Sequence, residues 1–236
     1  MQIVILASGR GKRTNHNLPK SLIDIGNTCL FDQNKKFYKN FKHKILTVGY
    51  KKKKFLSKID KSYILVENKK FKSTNMVESF FLTQKKIKKN CDILILYADV
   101  LIDQQKIKVD EIKTKKSLIF LNKNWLSLWK KRMNKKEIFI DAENVIVKKN
   151  KILEIGGKIE KFLPKFQFMG MVLLKYRDYK NLLRFYVDIN NKKIDFTTFL
   201  NLAIQKKKID FFAKIFNCKW MELDNPKDIK ILKKMI

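Results

Sequence analysis

Cysteine is scarce in this 236-residue chain: Cys29, Cys91 and Cys218 are widely spaced, and none belongs to a C-x-x-C pair. That count and spacing exclude a disulfide framework or a cysteine-built zinc site and predict free thiols in a reducing, cytoplasmic compartment. No apolar run approaches the length of a membrane span, and the N-terminus enters a strand-like run without the basic region of an export signal. Arginine is rare as well. The formal net charge is +32, yet Arg10, Arg13, Arg132, Arg177 and Arg184 are the only arginines among 54 cationic residues. A nucleic-acid reader concentrates arginine and exposed aromatics on one face. Dispersed lysine instead argues for a compositional bias, with only weak, salt-sensitive attraction to polyanions and no specific nucleic acid as partner. Repeats, low-complexity linkers and a clean domain boundary are also missing.

What is present is core-forming material. Hydrophobic residues make up 45% of the chain, with 18 Phe, 7 Tyr and 3 Trp, which supports one α/β domain over residues 1–236. Apolar runs at residues 3–6, 44–50, 62–67 and 91–97 read as strands. Helical patterns at 31–41, 51–61 and 75–88 lie between them, the alternation of βαβ units and a mostly parallel sheet. The run at 91–97 is nearly continuously aliphatic, as a central strand covered on both faces should be. Past residue 115 come strands at 117–122, 167–174, 209–215 and 219–223, with helices at 125–133 and 196–205. Residues 141–155 read as two strands meeting at Asn150, the core of a small antiparallel lobe on the substrate side. Asn225, Pro226 and Asp228 carry the signals of a helix start.

The chemistry begins where the first strand stops. Ala7 and Ser8 lead into a loop with Gly9, Gly11, Lys12 and Arg13, and Pro19-Lys20 follows. Glycine lets backbone amides approach an anion and the cations supply a field, so the loop suits a polyphosphate. It lacks the Gly-Lys-Ser/Thr ending of a P-loop and the third glycine of the dinucleotide fingerprint. Asp99 follows the central strand, where ligands of an open α/β sheet bind, although a lone Asp there serves equally as a turn residue or cap. Glu222 and Asp224 end a later strand. Two distant carboxylates beside a phosphate loop can hold Mg²⁺ against phosphate oxygens.

The ordered set Ser8-Gly9-Arg10-Gly11-Lys12-Arg13, Pro19-Lys20, Ala98-Asp99 and Trp220-x-Glu222-x-Asp224-x-Pro226-x-Asp228 resembles the nucleotidyltransferases acting on sugar 1-phosphates and phosphocholine. One departure is Ala98, where the family usually has Gly. Asn68 with Ser73-Thr74-Asn75-Met76 and Ser79 leans toward the cytidylyltransferase branch, as do Trp125, Trp129, Arg132, Asp141-Ala142-Glu143, Ile155-Gly156-Gly157-Lys158 and Phe168-Met169-Gly170. The resemblance implies a single Rossmann-like, GT-A-like domain with a mixed, mostly parallel sheet flanked by helices. Residues 1–115 would form its nucleotide half and residues 116–236 its acceptor half.

By the same resemblance, Arg13 and Lys20 are the catalytic cations. Ala7, Ser8, Gly9, Gly11, Lys12, Asn68, Thr74, Asn75, Ser79 and Ala98 bind the nucleotide, and Asp99 and Asp224 hold Mg²⁺. Trp129, Arg132, Asp141, Glu143, Lys158, Gly170 and Glu222 surround the acceptor. Asp141 and Glu143 either recognise a cationic group or cap strands. Trp125 and Trp129 either form an aromatic cage or, as their spacing favours, pack in the core. The implied partners are a nucleoside triphosphate, with CTP favoured, and a phosphorylated small molecule such as phosphocholine or a related phospho- or phosphono-amine or amide. UTP, dTTP or GTP with a sugar 1-phosphate is the alternative within the family, and a basic nucleic-acid-binding protein is the alternative outside it.

Overall fold

The computed structural model describes every residue except Glu160. Its first half runs β1 (Gln2–Ala7), α1 (Leu30–Tyr38), β2 (Lys44–Val48), α2 (Lys53–Leu56), β3 (Tyr63–Glu67), α3 (Met76–Phe81), β4 (Ile93–Tyr97) and β5 (Val100–Ile102). The second half runs β6 (Ser117–Asn122), α4 (Trp125–Trp129), α5 (Lys135–Asp141), β7 (Val145–Lys148), β8 (Lys151–Ile155) and β9 (Gln167–Leu174). It ends with α6 (Tyr176–Ile189), α7 (Phe196–Gln205), β10 (Phe211–Phe216), β11 (Trp220–Glu222) and α8 (Pro226–Met235).

Nine strands form one sheet in the order β3-β2-β1-β4-β9-β6-β10-β8-β7. β3, β2, β1 and β4 are parallel, β9 runs antiparallel between β4 and β6, and β10 lies parallel to β6. Every residue of β1, β4 and β9 is buried, as their aliphatic runs require of strands covered on both faces. The mixed sheet flanked by helices is the expected class. The predicted hairpin β7–β8 extends the edge of the main sheet. The separate small antiparallel sheet is formed by β5 and β11 over its own apolar cluster, which includes Ile23, Leu101, Met221 and Leu232.

Several elements differ from their predicted extents for local reasons. The stretch at 51–61 yields only α2, because like charges crowd successive turns. Asp141 ends a helix and does not start a strand: Asn134 and Glu137 form a capping box that begins α5. The longest helix, α6, occupies a stretch with no element assigned from sequence; its buried Tyr179, Leu182 and Phe185 are interleaved with Lys180, Asn181 and Arg184. α8 starts at Pro226 as expected, with Asn225 accepting from the amides of Lys227 and Asp228. Among the described residues, no helix is long and apolar enough to cross a membrane.

Candidate active site

β1 and β4 pair in parallel, Ala98 donates its amide to Leu6, and both strands stop at one edge, where their loops open into a cavity of about 380 Å³. Ala7, Ser8, Gly9, Gly11, Lys12, Arg13, Lys20, Asn68, Thr74, Asn75, Ser79, Ala98, Asp99 and Glu222 all line it. The loop is anchored from beneath: the Ser8 hydroxyl and the Ala7 amide donate to Thr47 Oγ1, and the Tyr50 amide donates to the Ser8 carbonyl. Gly11 sits at φ +64°, and a Cβ there would stand 2.5 Å from Lys20 Cγ. Glycine is thus needed both for the turn and for the passage of the Lys20 stem.

The Lys20 ammonium is the hub of the site. It donates to Asp224 Oδ1 at 2.6 Å and lies 3.1 Å from Asp99 Oδ2 and 4.0 Å from Glu222 Oε1. Burial works against its charge, but Asp99, Glu222 and Asp224 outweigh it and raise the ammonium above the usual lysine range. Arg13 reaches the same Asp224 oxygen at 2.7 Å. Burial also opposes ionisation of Asp224, yet Lys20, Arg13 and Arg132 hold its carboxyl below the usual range. Burial first, and then Asp224 and Asp99, push the Glu222 carboxyl well up. The β5–β11 pairing assembles the group: Glu222 lies opposite Val100, and Leu223 donates its amide to the Asp99 carbonyl.

A second cavity of about 250 Å³ adjoins the first, sharing Arg13, Met76, Tyr97 and Glu222 with it. Trp129, Asp141, Glu143, Gly170, Glu222 and Asp224 line it together. Gly170, at φ +69°, lies where β9 leaves regular register with β6, and a Cβ would press within 3.0 Å of the Tyr97 ring. Trp129 stacks on Trp220 at 4.8 Å and donates Nε1–H to Asp141 Oδ2 at 2.7 Å. Trp125 is a core residue, bonded to the Pro164 carbonyl. Glu143 accepts from the Thr197 hydroxyl at 2.9 Å; burial, with Asp195 and Asp141 as like-charged neighbours, pushes its carboxyl up.

Two residues expected at the acceptor stand elsewhere. Lys158 is exposed and lines neither cavity, because the Gly156–Gly157 turn carries it past the site. Arg132 is wholly buried and clamps Asp228, so it reaches the site only through other side chains. Asn68 and Asn75 are committed locally. Asn68 Nδ2 donates to Thr74 and Ser79, and Asn75 caps α3 and donates to the Lys193 carbonyl. Asp195 was missed from sequence; it caps α7 and also lines the second cavity. Tyr97 was hidden among the core residues of β4.

Among the described residues, no three acidic, His or Cys side chains are arranged to hold a metal by themselves. Asp99 and Asp224 nevertheless converge on one cation, the Lys20 ammonium. Mg²⁺ requires only one or two carboxylates when phosphates complete its shell, so these residues fit it.

No family model matches the chain. It is similar to the CTP:phosphoglutamine cytidylyltransferase of Campylobacter jejuni, at 28% identity over 255 aligned residues and 98% of each chain. The inositol-1-phosphate CTP transferase from T. maritima superposes with a TM-score of 0.73 at 21% identity, covering 99% of this chain and 94% of that one. The CTP:phosphocholine cytidylyltransferase of Streptococcus pneumoniae superposes with a TM-score of 0.75 at 18% identity, covering 99% and 98%. Over nearly its whole length the chain is similar in sequence to a cytidylyltransferase and in fold to nucleotidyltransferases.

Proposed function

We propose that this enzyme is a cytidylyltransferase that joins CTP to a phosphorylated small molecule bearing a cationic group, releasing pyrophosphate. Residues 1–115 would seat the donor and residues 116–236 most of the acceptor. The observation that carries the acceptor class is the charge of the second cavity. Asp141, Glu143 and Asp195 line it together, whereas Arg13 is its one cationic wall residue among those described. Carboxylates gathered in a partly desolvated space repel one another, and a cationic guest relieves that repulsion. Arg13, on the boundary with the donor cavity, would face the guest's phosphate. CTP as donor is supported by the curated relative, which is named for it.

In this reading an acceptor phosphate oxygen attacks the α-phosphorus of CTP. A new P–O bond forms, the bond to the β-phosphate breaks, and pyrophosphate leaves with the electron pair. An ionised phosphate is already a nucleophile, so the site needs no general base. Its work is to bring two polyanions together and to stabilise charge on the leaving group. The loop amides, Arg13 and Lys20 bind and orient the triphosphate. Asp99 and Asp224 would hold Mg²⁺, which when bound neutralises phosphate charge.

The test is a pyrophosphate-release screen of the four nucleoside triphosphates against phosphocholine, phosphoethanolamine, phosphoglutamine, inositol 1-phosphate and glucose 1-phosphate. Turnover with CTP and a cationic acceptor is expected. Preference for a neutral sugar phosphate with UTP, dTTP or GTP would overturn the reading. Glu143→Gln keeps the Thr197 hydrogen bond but removes a charge, so it should raise KM for the cationic acceptor about tenfold. The KM for CTP should not move. Initial rates at varied acceptor concentration measure the difference.

A further inference from the structure

Behind the catalytic hub lies a charged pair that touches neither cavity. Arg132, in the turn after α4, and Asp228, in the first turn of α8, are both fully buried at their side chains. The guanidinium donates through Nε to Asp228 Oδ1 at 2.8 Å and through Nη2 to Asp228 Oδ2 at 2.9 Å. The same Oδ2 accepts the backbone amides of Asp224 at 2.8 Å and Asn225 at 2.9 Å. Arg132 Nη2 also stands 3.7 Å from Asp224 Oδ2, the oxygen that Arg13 and Lys20 leave free. On its other side the guanidinium lies 4.6 Å over the Trp129 ring, whose Nε1–H is bonded to Asp141.

We infer that Arg132 and Asp228 are a positioning pair for the transfer reaction: they fix the backbone and carboxylate of Asp224 and tie it, through Trp129, to the acceptor wall. The inference rests on the function proposed above. A helix-capping role alone does not account for the pair, because a cap acid needs only to accept backbone amides near the surface, as Glu137 does for α5. Burying a full ion pair costs desolvation that well-packed apolar side chains would avoid, and here Arg132 Nη1 is buried with no hydrogen-bond partner among the described residues. What this pair supplies that apolar packing cannot is direction. A bidentate fork admits one relative orientation of its partners, and Asp228 passes that orientation to residue 224 through the peptide amide. Lysine at position 132 would keep the charge and lose the fork.

The experiment compares wild-type protein with Arg132→Lys, Asp228→Asn and the charge-balanced double variant Arg132→Met/Asp228→Asn. Three quantities are read on protein shown to be folded by circular dichroism and melting temperature. They are the Mg²⁺ concentration for half-maximal pyrophosphate release, the acceptor KM, and the affinity for Mn²⁺ with CTP present, measured by electron paramagnetic resonance. Arg132→Lys should weaken Mn²⁺ binding and raise the Mg²⁺ requirement about tenfold, the scale seen when groups that orient metal ligands are altered. Its acceptor KM should stay within about threefold, as expected of a group not touching that ligand.

A folded Arg132→Lys with wild-type Mn²⁺ affinity overturns the inference. So does a rise in acceptor KM with Mn²⁺ affinity unchanged, which would make Arg132 an acceptor contact. Should single variants fail to fold, the double variant decides: weakened Mn²⁺ binding supports the pair's role and unchanged binding overturns it. If wild-type protein releases no pyrophosphate from any donor and acceptor, the proposed function fails, and the Mn²⁺ measurement still judges the pair.

Discussion

Lys20→Met should lower the rate of pyrophosphate release by about a thousandfold, at the upper end of what one electrostatic group contributes to a preorganised site. The size follows from what the ammonium touches. It is within 4.0 Å of Asp99, Glu222 and Asp224 at once, and it lines the donor cavity. Its loss removes the field at the phosphates and leaves three carboxyl groups without their shared cation. The sign of the pH effect is fixed by the same contacts. Lys20 lowers the Asp224 carboxyl, so its removal raises that group, and the acid limb of residual activity should move to higher pH. Lysine is also constrained sterically, since its stem passes where Gly11 has no side chain; Lys20→Arg should recover little. Steady-state rates across pH for the three proteins provide the check. Activity of Lys20→Met within tenfold of wild type would remove Lys20 from the catalytic set.

Asp224→Asn should abolish most metal-dependent turnover, by about a hundredfold to a thousandfold, with Asp99→Asn close behind. Asparagine preserves shape and can still accept one hydrogen bond, so loss of fold is not expected at this edge position. Asp224 carries the larger burden because it answers to Arg13, Lys20 and Arg132 together, whereas Asp99 answers to Lys20. Removing the Asp224 charge therefore unbalances three cations at once. A Mg²⁺ titration of each variant tests this: the half-saturating concentration should rise steeply in both. Turnover near that of wild type in either variant would exclude that residue as a metal ligand.

What could be read from sequence was whatever chemistry had written locally. The loop from Ala7 to Lys20, Asp99 at the end of an aliphatic strand and the Asn225–Asp228 helix start are each contained in a few neighbouring residues. The small sheet that unites them is not, because β5 pairs with a strand over a hundred residues away. Strand direction in the middle of the sheet was equally hidden. β9 has the same aliphatic character as β4, and nothing in QFMGMVLL says that it inserts antiparallel between β4 and β6. Residues with two jobs were misjudged in both directions. Asp195 went unnoticed although it caps α7 and faces the second cavity, while Arg132, expected at the acceptor, is buried behind that cavity. Charge and spacing do not reveal which side of a wall a side chain occupies.

The β5–β11 pairing also bears on the order in which the molecule assembles. Arg13 and Asp224 are separated by 211 positions, and Lys20 and Asp224 by 204. Contacts of such separation come at the highest loop-closure cost and reward the chain only after nearer strands have paired. β1, β2, β3 and β4 can associate through short crossovers, so the first cavity takes shape early, with Asp99 the one acid of the Lys20 hub in it. Docking of β11 then supplies Asp224 and closes the wall between the two cavities. A population trapped before that event would carry a nearly finished nucleotide cradle and no chemistry. Nucleotide binding by a refolding sample should therefore return sooner than turnover.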